Sequence, residues 1–264
     1  MSRRTSAAAV RRTVAAGLIA VAALALTACG SDASAGSASG GASVSGTVNV
    51  FAAASLTGSF SQLGKDFEKA HPGVRVVFNF GGSSALAQQI NQGAPADVFA
   101  SAAPKNLDQV TDKGTATTFA RNQLQIAVPK GNPGKVAGLA DFTDAGRKIA
   151  LCAEQVPCGA AAQKVFAAAK LTPRPDTLEQ DVKAALTKVS LGEVDAALVY
   201  RTDVLAAADK VEGIEFPEAA QAVNDYPIAT LTKAPNADGA KAFVDFVLSE
   251  QGRKVLTDAG FEAP

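Results

Sequence analysis

Two serines in this chain stand where a strand is expected to hand over to a helix. Ser55 follows Val48-Asn49-Val50-Phe51-Ala52-Ala53-Ala54, and Ser83 follows Val74-Arg75-Val76-Val77-Phe78-Asn79-Phe80-Gly81-Gly82. A hydroxyl beside the free N–H groups of a helix start is a seat for an anion. Serine is also an ordinary helix N-cap, so Ser55 alone supports either reading. Nucleophilic catalysis is the other chemistry a serine offers, and a serine hydrolase is the competing function. It is the weaker one: the only histidine, His71, lies beside Pro72 at an expected helix stop, and neither serine sits in a G-x-S-x-G turn. Asp97 and Asp181 could imitate a catalytic carboxylate pair. Asp97 reads better as support for a strand end, and Asp181 as a complement to a helix dipole. Arg201 reads as a solvated surface residue, and His71 is too isolated in sequence to build a metal site with the cysteines.

The elements that must position these residues alternate along the chain. After Ser55, Leu56, Phe60, Leu63 and Phe67 recur at helical spacing until Pro72-Gly73. Strands are expected at 74–80, 96–101, 124–129, 148–152, 194–200 and 226–231. Helices are expected at 85–90, 104–113, 159–169, 179–191 and 202–208, with one or two more in 238–259. This alternation predicts an α/β class with largely parallel sheets, which bind ligands at the carboxyl ends of their strands.

The N-terminus is of another kind. Arg3, Arg4, Arg11 and Arg12 precede an apolar run over 14–26, and Leu26-Thr27-Ala28-Cys29 follows. Residues 1–28 read as a secretory signal peptide too short to span a membrane comfortably. The tetrad ending at Cys29 resembles the lipobox of bacterial lipoproteins, which implies that Cys29 is lipidated and becomes the first mature residue. Residues 29–46, almost all Gly, Ser and Ala, read as a flexible tether. Without the four leader arginines the chain keeps 21 basic and 25 acidic residues, a formal charge of −4. That balance argues against nucleic-acid binding. It also means that local dipoles, rather than overall charge, would have to hold an anion. Cys152 and Cys158 remain as a pair in a secreted context, which favours a disulfide over two buried thiols.

Several segments resemble the periplasmic molybdate-binding proteins of ABC transporters. Val50-Phe51-Ala52-Ala53-Ala54-Ser55-Leu56-Thr57 is similar to the start of that family, and Phe80-Gly81-Gly82-Ser83-Ser84-Ala85-Leu86 to its second serine motif. Gly93-Ala94-Pro95-Ala96-Asp97-Val98-Phe99-Ala100-Ser101, Val156-Pro157-Cys158-Gly159, Asp181-Val182-Lys183-Ala184 and Leu198-Val199-Tyr200 follow in the family's order. The resemblance runs from Thr47 to Phe261. It implies a two-lobed type II periplasmic-binding-protein fold, each lobe a mainly parallel sheet flanked by helices, with the ligand in the inter-lobe cleft. One lobe is expected at 47–123 plus 226–264 and the other at 124–225.

The resemblance also implies a ligand set. Molybdate or tungstate would be held through its oxygens by the hydroxyls and N–H groups of Ser55 and Ser83, the N–H groups of Cys158 and Val182, and the phenol of Tyr200. Cys158 departs from the alanine common at its position, which a main-chain contact tolerates. Val182 can serve only through its backbone. No cofactor and no enzymatic activity are implied. The expected partner is an ABC transporter permease, served by a monomer anchored through Cys29 at the outer face of the cell membrane. A receptor for sulfate or another tetrahedral oxyanion is the alternative within the binding class.

Overall fold

The computed structural model describes residues 44–264. The expected signal peptide, Cys29 and all but the end of the tether lie outside the described residues.

β1 (Gly46–Ala53) alternates by face: Val48, Val50 and Ala52 enter one core, and Phe51 enters another. A single 3-10 turn, Ala54–Leu56, leads into α1 (Thr57–Ala70), which buries Phe60, Leu63 and Phe67 completely. Ser55 therefore lies inside the turn and is not a helix cap. The cap positions fall on Ala53 and Leu56, and neither makes a side-chain cap bond. β2 (Val74–Gly81) and α2 (Ser83–Asn91) repeat the strand-to-helix step, and β3 (Val98–Ala100) and α3 (Pro104–Asp108) repeat it again.

β4 (Thr117–Asn122) then passes through Gln123 directly into β5 (Leu124–Pro129). β6 (Ile149–Cys152), α4 (Pro157–Ala169), β7 (Thr177–Glu179), α5 (Val182–Ser190), β8 (Ala196–Tyr200), α6 (Arg201–Ala206) and β9 (Val211–Ile214) follow. β10 (Asn224–Thr230), α7 (Ala237–Leu248) and α8 (Glu250–Asp258) complete the chain. Among the described residues no helix is long and apolar enough to cross a membrane.

The strands form two five-stranded sheets, in the orders β2-β1-β3-β10-β4 and β7-β6-β8-β5-β9. Helices flank both, which gives the two-lobed α/β architecture. One lobe has a core on each face of its sheet: α1, α7 and α8 cover Val48 and Val50, while α2 and α3 cover Phe51 and Phe99. The other lobe packs Phe142, Val165, Phe166 and Val189 around β5, β6 and β8.

The sheets are mixed rather than mainly parallel. β1 pairs in parallel with β2 and β3, and β6 with β7 and β8. β5 and β10 pair antiparallel with both of their neighbours. Parallel pairing needs a crossover on the same sheet. β5 and β10 arrive from the other lobe instead, so nothing imposes that direction on them.

Three strands went unseen in the sequence. β4 and β9 lie at sheet edges with polar, half-exposed faces. β7 is a three-residue edge strand, and it takes in Glu179, where the spacing predicts the start of the helix that begins only at Val182. Short edge strands carry too few apolar positions to show a period of two.

Candidate functional site

Three helix starts and the end of one strand converge between the sheets. They line one narrow, partly open cavity. Ser55, Gly82 and Ser83 line it from one lobe, and Cys158, Val182 and Tyr200 line it from the other. All five residues expected to hold an oxyanion thus share one space. Asp97 does not line it. Its carboxylate accepts from the N–H groups of Asn49 at 2.7 Å and Asn236 at 2.6 Å, fastening β1 to the turn before α7.

The free N–H groups follow from where each helix begins. In α2 the first intrahelical bond is donated by Leu86 to Gly82 at 3.0 Å, so the Ser83 N–H has no intrahelical acceptor. In α4 Pro157 occupies the first position and lacks an N–H, and Ala160 makes the first bond to Val156. Cys158 therefore presents the leading N–H of that helix. In α5 the Asp181 carboxylate caps Ala184 N–H at 2.9 Å, which leaves Val182 N–H ahead of the cap. Each helix start also carries partial positive charge.

No Lys or Arg side chain lines the cavity among the described residues. Lys183, the nearest in sequence, is drawn aside. Its ammonium forms a salt bridge with Asp203 Oδ1 at 2.8 Å. Asp203 is wholly buried and its Oδ2 accepts from Tyr200 N–H at 3.2 Å. Burial pushes the Asp203 carboxyl up from its ordinary value, and Lys183 pulls it back down.

The hydroxyls are held on their far sides. Ser83 Oγ accepts from Ala102 N–H at 3.0 Å, and Tyr200 Oη accepts from Asn224 Nδ2 at 3.0 Å. Ser55 Oγ lies 2.9 Å from Tyr226 Oη. Burial pushes the Tyr200 phenol well above its ordinary value, with the neighbouring Tyr226 and Asp203 adding to the shift. Tyr200 therefore keeps its proton and can donate it.

The structure adds participants that the sequence did not reveal. Asp181 lines the cavity as the cap of α5, where only a dipole partner had been expected. Gly82 lines it beside Ser83, while Asn224 and Tyr226 stand behind the expected donors, and no local pattern marks those two. His71 follows the last residue of α1, whereas Ser55 precedes the first. The 14-residue helix between them is about 21 Å long, so Ser55 cannot use His71 as a base.

Cys152 and Cys158 form a disulfide with Cα atoms 5.7 Å apart. It ties the end of β6 to the first turn of α4, beside the Cys158 N–H. Replacing both cysteines by serine is expected to cost about 2 kcal/mol of stability, the loop-entropy value for so short a ring. Anion affinity should change little, because position 158 contributes its main chain. Urea unfolding beside calorimetry checks both halves, and a hundredfold loss of affinity would show that the thiol chemistry itself matters.

Known proteins resemble this chain in sequence and fold. Residues 48–262 match the family of bacterial extracellular solute-binding proteins. The molybdate-binding protein ModA of Mycobacterium tuberculosis is 42% identical over 90% of this chain and 93% of its own. The periplasmic molybdate-binding protein of Azotobacter vinelandii superimposes with a TM-score of 0.69 at 24% identity, over 82% of this chain and 99% of that one. The sulfate-binding protein SubI of M. tuberculosis superimposes with a TM-score of 0.70 at 17% identity, over 82% and 86%. Those two likenesses concern the fold. Together with the matched span and the relative sharing 42% of its residues, they lead to one conclusion: the chain belongs to the bacterial extracellular solute-binding protein family.

Proposed function

We propose that this protein captures molybdate, with tungstate as its near-equal competitor, and delivers it to an ABC transporter permease. One observation carries the reading. Ser55, Ser83, Cys158, Val182 and Tyr200, far apart in sequence, line one small cavity between the lobes and offer it hydrogen-bond donors without a cationic side chain. A doubly charged tetrahedral anion can accept from all of them, and bonds to an ionised acceptor are about twice as strong as neutral ones. The named relative binds molybdate, which fits this donor set. The anion would be cargo held through its oxygens, with no cofactor and no reaction.

In this reading residues 47–123 plus 226–264 and residues 124–225 form the two lobes. Residues 1–28 are a signal peptide, and 29–46 tether a monomer to the outer face of the cell membrane through lipidated Cys29. Donors from both lobes favour the closed state once the anion is present.

Competition calorimetry on the mature protein tests the assignment. Molybdate and tungstate should displace one another at similar concentrations. Sulfate is smaller and should require large excess. Hydrogen phosphate carries a proton that needs an acceptor and should fare no better. Sulfate binding as tightly as molybdate would replace this reading with a sulfate receptor, since a sulfate-binding protein shares the fold.

A further inference from the structure

Two side chains of β10 touch the cavity's hydroxyls from behind without lining the cavity. Asn224 and Tyr226 are two residues apart on one strand, so they project from the same face of the sheet. Both are buried, Tyr226 entirely. Asn224 Nδ2 donates to Ala102 O at 2.8 Å and to Tyr200 Oη at 3.0 Å. A backbone carbonyl only accepts, so this pairing fixes which way the Asn224 amide points. Tyr200 Oη must then accept on that side.

Ser83 meets the same condition from the Ala102 N–H, a main-chain donor that cannot reverse. Ser55 differs. Among the described residues its side-chain partner is Tyr226 Oη, and either oxygen can be the donor of that bond.

We infer that Tyr226 is a specificity-determining positioning residue, which donates to Ser55 Oγ and so commits the Ser55 proton to the cavity. Asn224 does the same for Tyr200. Together with the Ala102 N–H they turn hydroxyls that could accept into hydroxyls that only give. The inference rests on the oxyanion reading of the site and deepens it.

A hydroxyl has one proton. When Tyr226 gives its proton to Ser55 Oγ, the Ser55 proton has the cavity as its remaining outlet. An anion without protons satisfies it. A hydrogen-bearing oxyanion brings its own O–H, which meets another donor and loses a partner, and a buried donor left without one is costly. Burial pushes the Tyr226 phenol up from its ordinary value, so its proton is present at neutral pH. The ring is packed by Phe119, Tyr200 and Phe261 at centroid distances of 5.4 to 6.3 Å, which holds the hydroxyl in place.

Tyr226→Phe keeps the ring and removes the proton. Ser55 is then free to accept from the cavity. The probes are molybdate and hydrogen arsenate at neutral pH, a proton-free and a proton-bearing tetrahedral dianion. The readout is the arsenate excess that displaces half of the bound molybdate. In Tyr226→Phe this excess should fall about tenfold or more, and Asn224→Ala should move it the same way through Tyr200. In a Ser55→Ala background Tyr226→Phe should change nothing further, because its effect passes through Ser55. An unchanged excess in the variants, or an equal Tyr226→Phe effect with and without Ser55, would overturn the inference. Should Tyr226→Phe not fold, Asn224→Ala decides alone. A wild-type protein that fails to bind molybdate would instead sink the oxyanion reading itself.

Discussion

Ser55→Ala together with Ser83→Ala is expected to weaken molybdate binding by about 10²- to 10⁴-fold. Each substitution removes a hydroxyl donor to an ionised acceptor, worth about 1.5–3 kcal/mol, and each 1.4 kcal/mol is tenfold in affinity. The N–H groups of both residues survive, so binding should fall without vanishing. Stability will also move. Ser55→Ala strips Tyr226 Oη of its serine partner, and Ser83→Ala leaves Ala102 N–H without its acceptor. A buried group left unpaired costs about 1–3 kcal/mol. The titration should therefore be run where circular dichroism shows both proteins folded. Retention of wild-type affinity by the folded double variant would mean that these hydroxyls do not face the ligand.

Gly82→Ala should have an effect of similar size by a different route. Gly82 sits before α2 with φ −62° and ψ 130°, a conformation any residue adopts. Its backbone does not call for glycine. The approach of the other lobe does: a Cβ here would overlap the carbonyl oxygen of Gln180 and lie 3.6 Å from Asp181 Cβ. Gln180 leads into the cap of α5, the helix that presents Val182. An added methyl therefore leaves each lobe intact and keeps the two from meeting. The ligand-free protein should melt within a degree or two of wild type, or slightly higher, since alanine lowers the entropy of the unfolded chain.

Closure should nevertheless fail. Donors on the far lobe, at Cys158, Val182 and Tyr200, would not reach an anion held by Ser55 and Ser83. Loss of two such bonds already corresponds to roughly 10²-fold or more in affinity. Small-angle scattering should show the wild type compacting on molybdate addition and Gly82→Ala remaining extended. Normal compaction in the variant would mean that Gln180 moves aside cheaply, and the glycine would lose this role.

Much of the fold could be read locally. Leu56, Phe60, Leu63 and Phe67 announce α1 by their spacing, Pro104 opens α3 from its first position, and Gly192 follows α5. Such signals act within a few residues, so a linear reading reaches them. It missed β4, β7 and β9, whose pairing depends on partners distant in sequence. Of the two roles open to Ser55, it could not discard the helix cap, because it takes β1 to run straight into α1, whereas a 3-10 turn intervenes and turns the hydroxyl toward Tyr226.

Local periodicity and capping located the helices but not their first residues: those expected from 85, 159 and 179 begin at Ser83, Pro157 and Val182. The resemblance then chose five positions. Only the tertiary structure decided that these positions share one cavity, because β5 and β10 carry the chain out of one sheet and back again. Only it decided which way the hydroxyls point, since Ala102, Asn224 and Tyr226 reach them across 19, 24 and 171 residues of chain. Hydrogen-bond direction depends on whichever group lies behind the oxygen, and a residue's neighbours in sequence do not say what that group is.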